Sequence, residues 1–168
     1  MRNRFVLTIT SILLVVLLLT GCAGSATPVL SMESKLALVG DTINVPIEIE
    51  KNRGLYVGQI VVNYDPSVFE FVSGGNGNVF DECVVNGTDI KGTVMIIANQ
   101  SGVKNTKKNG IVSSLNFKIK DTAPRGDTTI SFYMPETVEE GTYFLNVKDI
   151  AEEKWTTAKC NDAIISVK

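Results

Sequence analysis

The stretch NYDPSVFEFVSGG, residues 63–75, joins an apolar run to a second apolar run that ends in glycines. Nothing in it carries chemistry, so its content is structural. Pro66 fixes its own φ and has no N–H to give, so ladder pairing stops there. Asp65 can accept backbone amides two residues on and close the turn. Tyr64 is expected to pack inward beside Ile60 and Val62. VFEFV (68–72) then reads as a short strand. The stretch is a corner between two strands, and the surrounding sequence decides what kind of corner.

Short strands continue in both directions. TINVPIEIE (42–50) alternates, placing Ile43, Val45, Ile47 and Ile49 on one face. YVGQIVVNY (56–64) puts Tyr56, Gly58, Ile60, Val62 and Tyr64 on one face, and Val57, Gln59, Val61 and Asn63 on the other. VVNGTDI (84–90) is a hairpin signal, because Asn-Gly accepts the positive φ angles of a type I′ turn. TVMIIAN (93–99) is nearly all apolar, as in a central strand. IVSSLNFKIK (111–120) turns Leu115, Phe117 and Ile119 to one side. TTISFYM (128–134), TYFLNV (142–147), KWTTAKC (154–160) and AIISV (163–167) complete the series. Nine or ten short strands separated by Gly, Asn, Asp and Pro predict an all-β sandwich of two packed sheets. There is no internal repeat, and residues 29–168 read as one domain.

Ahead of that domain, Met1 to Gly21 reads as an export leader. Arg2 and Arg4 precede an apolar run over Phe5 to Leu19, short of the roughly 20 residues of a spanning helix. Leu19-Thr20-Gly21-Cys22 matches a lipoprotein processing box, which would make Cys22 the acylated first residue. Two or more acyl chains hold a protein stably at a membrane. Ala23 to Pro28 would be a short tether, so residues 22–28 form the anchor region. The expected location is the outer side of the cell membrane.

Composition removes several function classes. Without Arg2 and Arg4, 14 basic side chains face 18 acidic ones, a balance unsuited to nucleic acid. Histidine is absent, which removes Ser-His and Cys-His nucleophile schemes. The acidic pairs Glu139-Glu140 and Glu152-Glu153 lack the spacing across a cleft that glycosidases need. Asp81, Asp121, Asp149 and Asp162 are scattered and form no calcium loop. No enzyme, cofactor or metal site is expected. Cys83 and Cys160 remain as an even pair in an exported chain, and either a disulfide or two buried thiols fits.

The order of the strands is specific. LVGDTINVPIEI (38–49) opens, a strand ends in Tyr64-Asp65-Pro66, and a long apolar strand ends Asn99-Gln100-Ser101-Gly102. A Gly110-opened strand follows, and Ala123-Pro124-Arg125-Gly126 turns the chain. Over nearly all of residues 29–168 this resembles the cohesin domain, the receptor module of cellulosome-type assemblies. The resemblance implies a nine-stranded antiparallel jelly-roll sandwich. It also implies a dockerin-bearing partner, with calcium on the partner's side, and a role in polysaccharide degradation. The family's binding face maps onto Val57, Gln59, Val61 and Asn63 of one strand and onto Ile96, Asn99 and Gly102 of a second. The chain departs from the family there: Val57 and Gln59 replace an Asn and an Asp, and Asn99 replaces a Glu. The resulting face is more apolar, as contact surfaces often are; the alternative is ordinary sheet covered by a loop.

Two rival readings are a carbohydrate-binding module and a structural or adhesion domain. The first needs exposed coplanar aromatics; a lone Trp155 is expected in the core. The triplets Asn86-Gly87-Thr88 and Asn99-Gln100-Ser101 match the N-glycosylation pattern by chance. Lys104 to Lys108 is expected as a solvated loop beside the face.

Overall fold

Alternation in TINVPIEIE holds: Ile43, Val45, Ile47 and Ile49 are all buried, so this strand can belong only to a sheet with one covered face. The computed structural model describes residues 27–87, 89–135, 141–147, 151 and 155–168. The expected leader 1–21, Cys22, Thr88, Asp149 and the pairs Glu139-Glu140 and Glu152-Glu153 lie outside the described residues.

The strands are β1 (Val29–Met32), β2 (Lys35–Ala37), β3 (Thr42–Glu50), β4 (Val57–Asn63), β5 (Phe69–Asn76) and β6 (Glu82–Asn86). After them come β7 (Thr93–Asn99), β8 (Gly110–Ile119), β9 (Gly126–Phe132), β10 (Tyr143–Leu145), β11 (Lys159–Asn161) and β12 (Ala163–Val167). One sheet has the order β11-β1-β3-β8-β5. The other has the order β2-β12-β9-β4-β7-β6, with β10 also paired to β4. The two inner faces share one core that includes Val45, Ile47, Ile60, Val62, Ile96, Leu115 and Phe117.

In place of the expected nine antiparallel strands, the described residues form twelve, and two pairings are parallel: β1 with β11, and β2 with β12. The cause lies at the chain ends. β1 and β2 are separated by two residues and β11 and β12 by one, yet the members of each pair sit in different sheets. First and last segments each step from one sheet to the other and run side by side.

Residues 63–75 make the same kind of crossing. β4 lies in one sheet and β5 in the other. Between them Asp65 Oδ1 accepts the Ser67 amide at 2.7 Å and the Ser67 hydroxyl at 2.6 Å. Its carbonyl accepts the Phe69 amide at 2.9 Å, and Lys120 Nζ donates to Pro66 O at 2.6 Å. The two Ser67 bonds hold the Asp65 carboxyl below its ordinary value, the Ser67 hydroxyl contributing most. The three aromatics of the stretch close on Phe117 of β8. Ring centroids lie 5.0 Å away for Tyr64, 5.9 Å for Phe69 and 5.8 Å for Phe71, within the range of favourable ring pairs. The corner thus ties both sheets to one buried ring.

β5 does not stop at Val72. It continues through Ser73, Gly74 and Gly75 to Asn76, still paired with β8, after a bulge between Phe71 and Ser73. Gly74 is there for space: a Cβ would sit 2.5 Å from Val85 Cγ1 of β6. The expected type I′ turn at Asn86-Gly87 is absent. β6 and β7 pair from Glu82–Asn99 to Asn86–Met95, so residues 87–92 connect them. Gly87 is required by Phe71, whose Cδ1 would lie 2.3 Å from a Cβ, and it is Gly92 that takes positive φ.

The candidate disulfide does not form. Cys83 and Cys160 are free thiols, in the last strand of one sheet and the first strand of the other. Cys83 Sγ donates to Val112 O at 3.2 Å, whereas Cys160 Sγ faces Met134 Sδ at 3.7 Å. Burial raises both thiol pKa values, that of Cys160 to about 12 with help from Asp162.

Candidate functional site: the outer face of β4, β7 and β6

Pairing register places the outer face residue by residue. Val57 lies opposite Asn99, Gln59 opposite Ile97, Val61 opposite Met95, and Asn63 opposite Thr93. On the far side of β7, Glu82 lies opposite Asn99, Val84 opposite Ile97, and Asn86 opposite Met95. Alternation sends Val94, Ile96 and Ala98 into the core, all fully buried. Ile96 therefore does not belong to the face. The residue types hid this, because TVMIIAN is apolar on both sides and shows no period of two. Asn99 was the usable marker: it is outward, so Ile97 and Met95 are outward too.

Val57, Gln59, Val61 and Asn63 do point away from the Ile60 and Val62 side, but two of them are covered. Gln59 is 9% exposed and Val61 3%. Tyr133 donates its amide to Val61 O at 2.8 Å. Thr142 returns the chain to the same place, its Oγ1 accepting the Val61 amide at 3.0 Å. Gln59 Nε2 donates to Gly141 O at 3.1 Å, and Tyr143 Oη donates to Gln59 Oε1 at 3.2 Å. β10 then pairs with the edge of β4 over Val57 to Gln59. The alternative of sheet covered by a loop thus holds for the β4 half. Val57 and Asn63 stay half-exposed at its two ends, and Thr93 Oγ1 donates to Asn63 Oδ1 at 3.1 Å.

The β7–β6 half is open. Val84 is 68% exposed, Met95 and Ile90 are exposed, and Ile97 is half-buried between them. None of the outward positions on β6 and β7 is a Lys or Arg. Asn99 is half-buried, and its Oδ1 is buried without a hydrogen-bond partner. Gly102 lies apart from the face, exposed in the following loop at φ 71°.

That loop is tied down more than expected. Thr106 is buried and exchanges two backbone bonds with Leu55, at 2.7 and 2.9 Å. Lys108 Nζ donates to Asn78 O at 3.1 Å. Lys104 meets Asp81 at 3.7 Å, an exposed pair of small energetic weight. Asp81 also accepts the Ser101 amide at 2.9 Å, the main reason its carboxyl is held low.

Trp155 is not in the core. It is 36% exposed and meets Tyr143 edge-on, with centroids 4.3 Å apart and planes at 63°. Rings at that angle offer no flat platform for a sugar. Among the described residues no three His, Cys, Asp or Glu side chains are placed to hold a metal.

A two-sheet sandwich with a charge-poor outer face is the architecture of a binding module. The family model of the cohesin domain matches residues 28–151, and the chain belongs to the cohesin family. Cohesin domains are non-catalytic. Cellulose-binding protein A of Clostridium cellulovorans is 26% identical over 110 residues, 62% of this chain but 6% of that protein. The sixth cohesin of scaffoldin B from Acetivibrio cellulolyticus, solved in complex with a Cel5 dockerin, superposes with a TM-score of 0.71. It is 18% identical and covers 85% of this chain and 100% of its own. A non-cellulosomal cohesin of the archaeon Archaeoglobus fulgidus gives 0.64 at 12% identity, covering 85% and 92%.

Proposed function

We propose that this cohesin domain is held at the outer side of the cell membrane by lipid on Cys22 and captures a dockerin-bearing protein, with polysaccharide degradation as the setting. The observation that carries it is the open half of the β7–β6 face. Val84, Met95 and Ile97 form an apolar surface without cations on a rigid sheet, and nothing within the described chain covers it. A preformed sheet face suits a helical partner, because only the partner's side chains have to order on contact. Several solved relatives were determined as complexes with dockerins, which supports the same class of partner here. The domain does no chemistry in this role. Its strands fix the spacing of the contact residues, and the tether sets its distance from the membrane. The Leu19–Cys22 box supports the anchor.

The test immobilises residues 23–168 through the N-terminus and exposes them to the host's secreted and envelope proteins, first with calcium and then with chelator. The expected result is calcium-dependent recovery of a protein with duplicated helix-loop calcium motifs, lost in the Val84→Asp, Ile97→Asp variant. Recovery of nothing by the folded domain would return the protein to the structural or adhesion class. Metabolic labelling with palmitate checks the anchor, since Cys22→Ser should abolish incorporation.

A further inference from the structure

The two halves of the outer face are unequal, and the inequality locates the contact. On β4, Gln59 and Val61 are sealed by Gly141, Thr142 and Tyr143. On β6, β7 and the connection between them, Val84, Met95 and Ile90 stand open. β6 is the last strand of its sheet, so a partner can lie along it without meeting another strand. At the hairpin end of this half is a cavity of about 100 Å³ lined by Asn86, Asp89, Ile90, Thr93 and Met95. Asn86 Nδ2 donates to Asp89 Oδ2 at 2.5 Å and fixes one wall, while Ile90 and Met95 supply apolar surface. An apolar cavity of about 150 Å³ holds benzene, so this smaller one has room for a single branched aliphatic group.

Charge narrows the occupant. Glu82 and Asp89, both exposed, stand near the two ends of the open half. Lys91, the cation of the hairpin loop, lines a different cavity with Pro66, Phe71 and Lys120.

We infer that the docking contact is centred on the β6–β7 hairpin, whose cavity takes one Val, Leu or Ile side chain from a partner helix carrying Lys or Arg within a turn of it. A helix laid against an apolar groove is anchored by such side chains at helical spacing, and the flanking cations reach Glu82 or Asp89. This inference rests on the docking function proposed above and adds to it the half of the face used and the kind of helix that fits.

The experiment titrates the full-length chain, held in detergent, with a panel of individual calcium-loaded dockerin modules. Wild type is compared with Met95→Trp, which fills the cavity, with Ile90→Asp, which charges its wall, and with Leu36→Asp, which charges an exposed site on β2. Melting curves confirm folding; Ile90 and Leu36 are exposed, so their variants fold even if Met95→Trp does not. The expected result is binding by a module with an aliphatic residue flanked by Lys or Arg. Affinity falls roughly tenfold to a hundredfold in Met95→Trp and Ile90→Asp, the worth of burying one aliphatic side chain, and does not change in Leu36→Asp. A module that binds wild type and both cavity variants equally overturns the cavity assignment and leaves the docking function standing. No binding by any module to wild type overturns the docking function, and this inference with it.

Discussion

Phe117 is where the corner at residues 63–75 meets both sheets, and its replacement is the most informative stability test. The ring is fully buried and contacts Tyr64, Phe69 and Phe71 with centroids 5.0 to 5.9 Å away. Phe117→Ala removes the ring from a site that cannot collapse, because β3 and β5 flank β8 on both sides. The expected cost is about 3–5 kcal/mol, roughly a fifth or more of the typical stability of a domain. At roughly 3 °C per kcal/mol for a domain of this size, the melting temperature should fall by about 10–15 °C. Phe117→Leu keeps most of the volume and should cost roughly half as much. Chemical denaturation of both variants, followed by circular dichroism, gives the values. A double-mutant cycle with Tyr64→Leu, whose ring follows β4 of the other sheet and lies 5.0 Å from Phe117, should show coupling of about 0.5–1.5 kcal/mol. A loss below 1 kcal/mol for Phe117→Ala, or additive effects with Tyr64, would refute the picture of a shared ring linking the sheets.

Three further outcomes are expected. Gly74→Ala should cost about 1–3 kcal/mol through its collision with Val85, and Val85→Ala should recover much of that in the double variant; a neutral single variant contradicts the close approach of β5 and β6. Under non-reducing denaturation, thiol titration should find Cys83 and Cys160 both free, and in the folded chain both should react slowly at pH 8, because burial favours the neutral thiol; a pair that titrates only after reduction contradicts the assignment. The Asp65 carboxyl is lowered on folding, so its contribution is complete above the unfolded value of 3.8 and is lost as pH falls through the lower folded value. The stability gap between wild type and Asp65→Asn should therefore be constant from pH 6 to 8 and close in acid; a gap that persists unchanged at pH 2 rules out the ionised Asx turn.

The fold was legible where one side of a strand is polar. TINVPIEIE and the Tyr-Asp-Pro corner read correctly because their periodicity and turn chemistry are local. What was not legible depends on contacts distant in sequence. β5 looked finished at Val72 because Gly74 and Gly75 are poor strand formers alone; their place is set by Val85 and by pairing with β8. Asn86-Gly87 mimicked a tight turn, although Gly87 is there to admit Phe71. Ile96 entered the face through the family mapping, and the unbroken apolar run around it gives no parity that would have excluded it. Gln59 and Val61 have the right parity for a face, but the return of the chain at Gly141 and Thr142 buries them, and nothing near residue 60 announces it. Val84, Met95 and Ile90 were missed for the converse reason: an exposed apolar side chain on a sheet looks in sequence like a core one.

The central claim is that the open β7–β6 face receives a dockerin. Amide chemical-shift mapping of labelled residues 23–168, titrated with a calcium-loaded dockerin module, tests it most directly. The account predicts saturable shifts confined to residues 82–99 and the exposed ends of β4, absent when chelator removes calcium from the module. Shifts on the β3–β8 sheet, or none with any module, would contradict it.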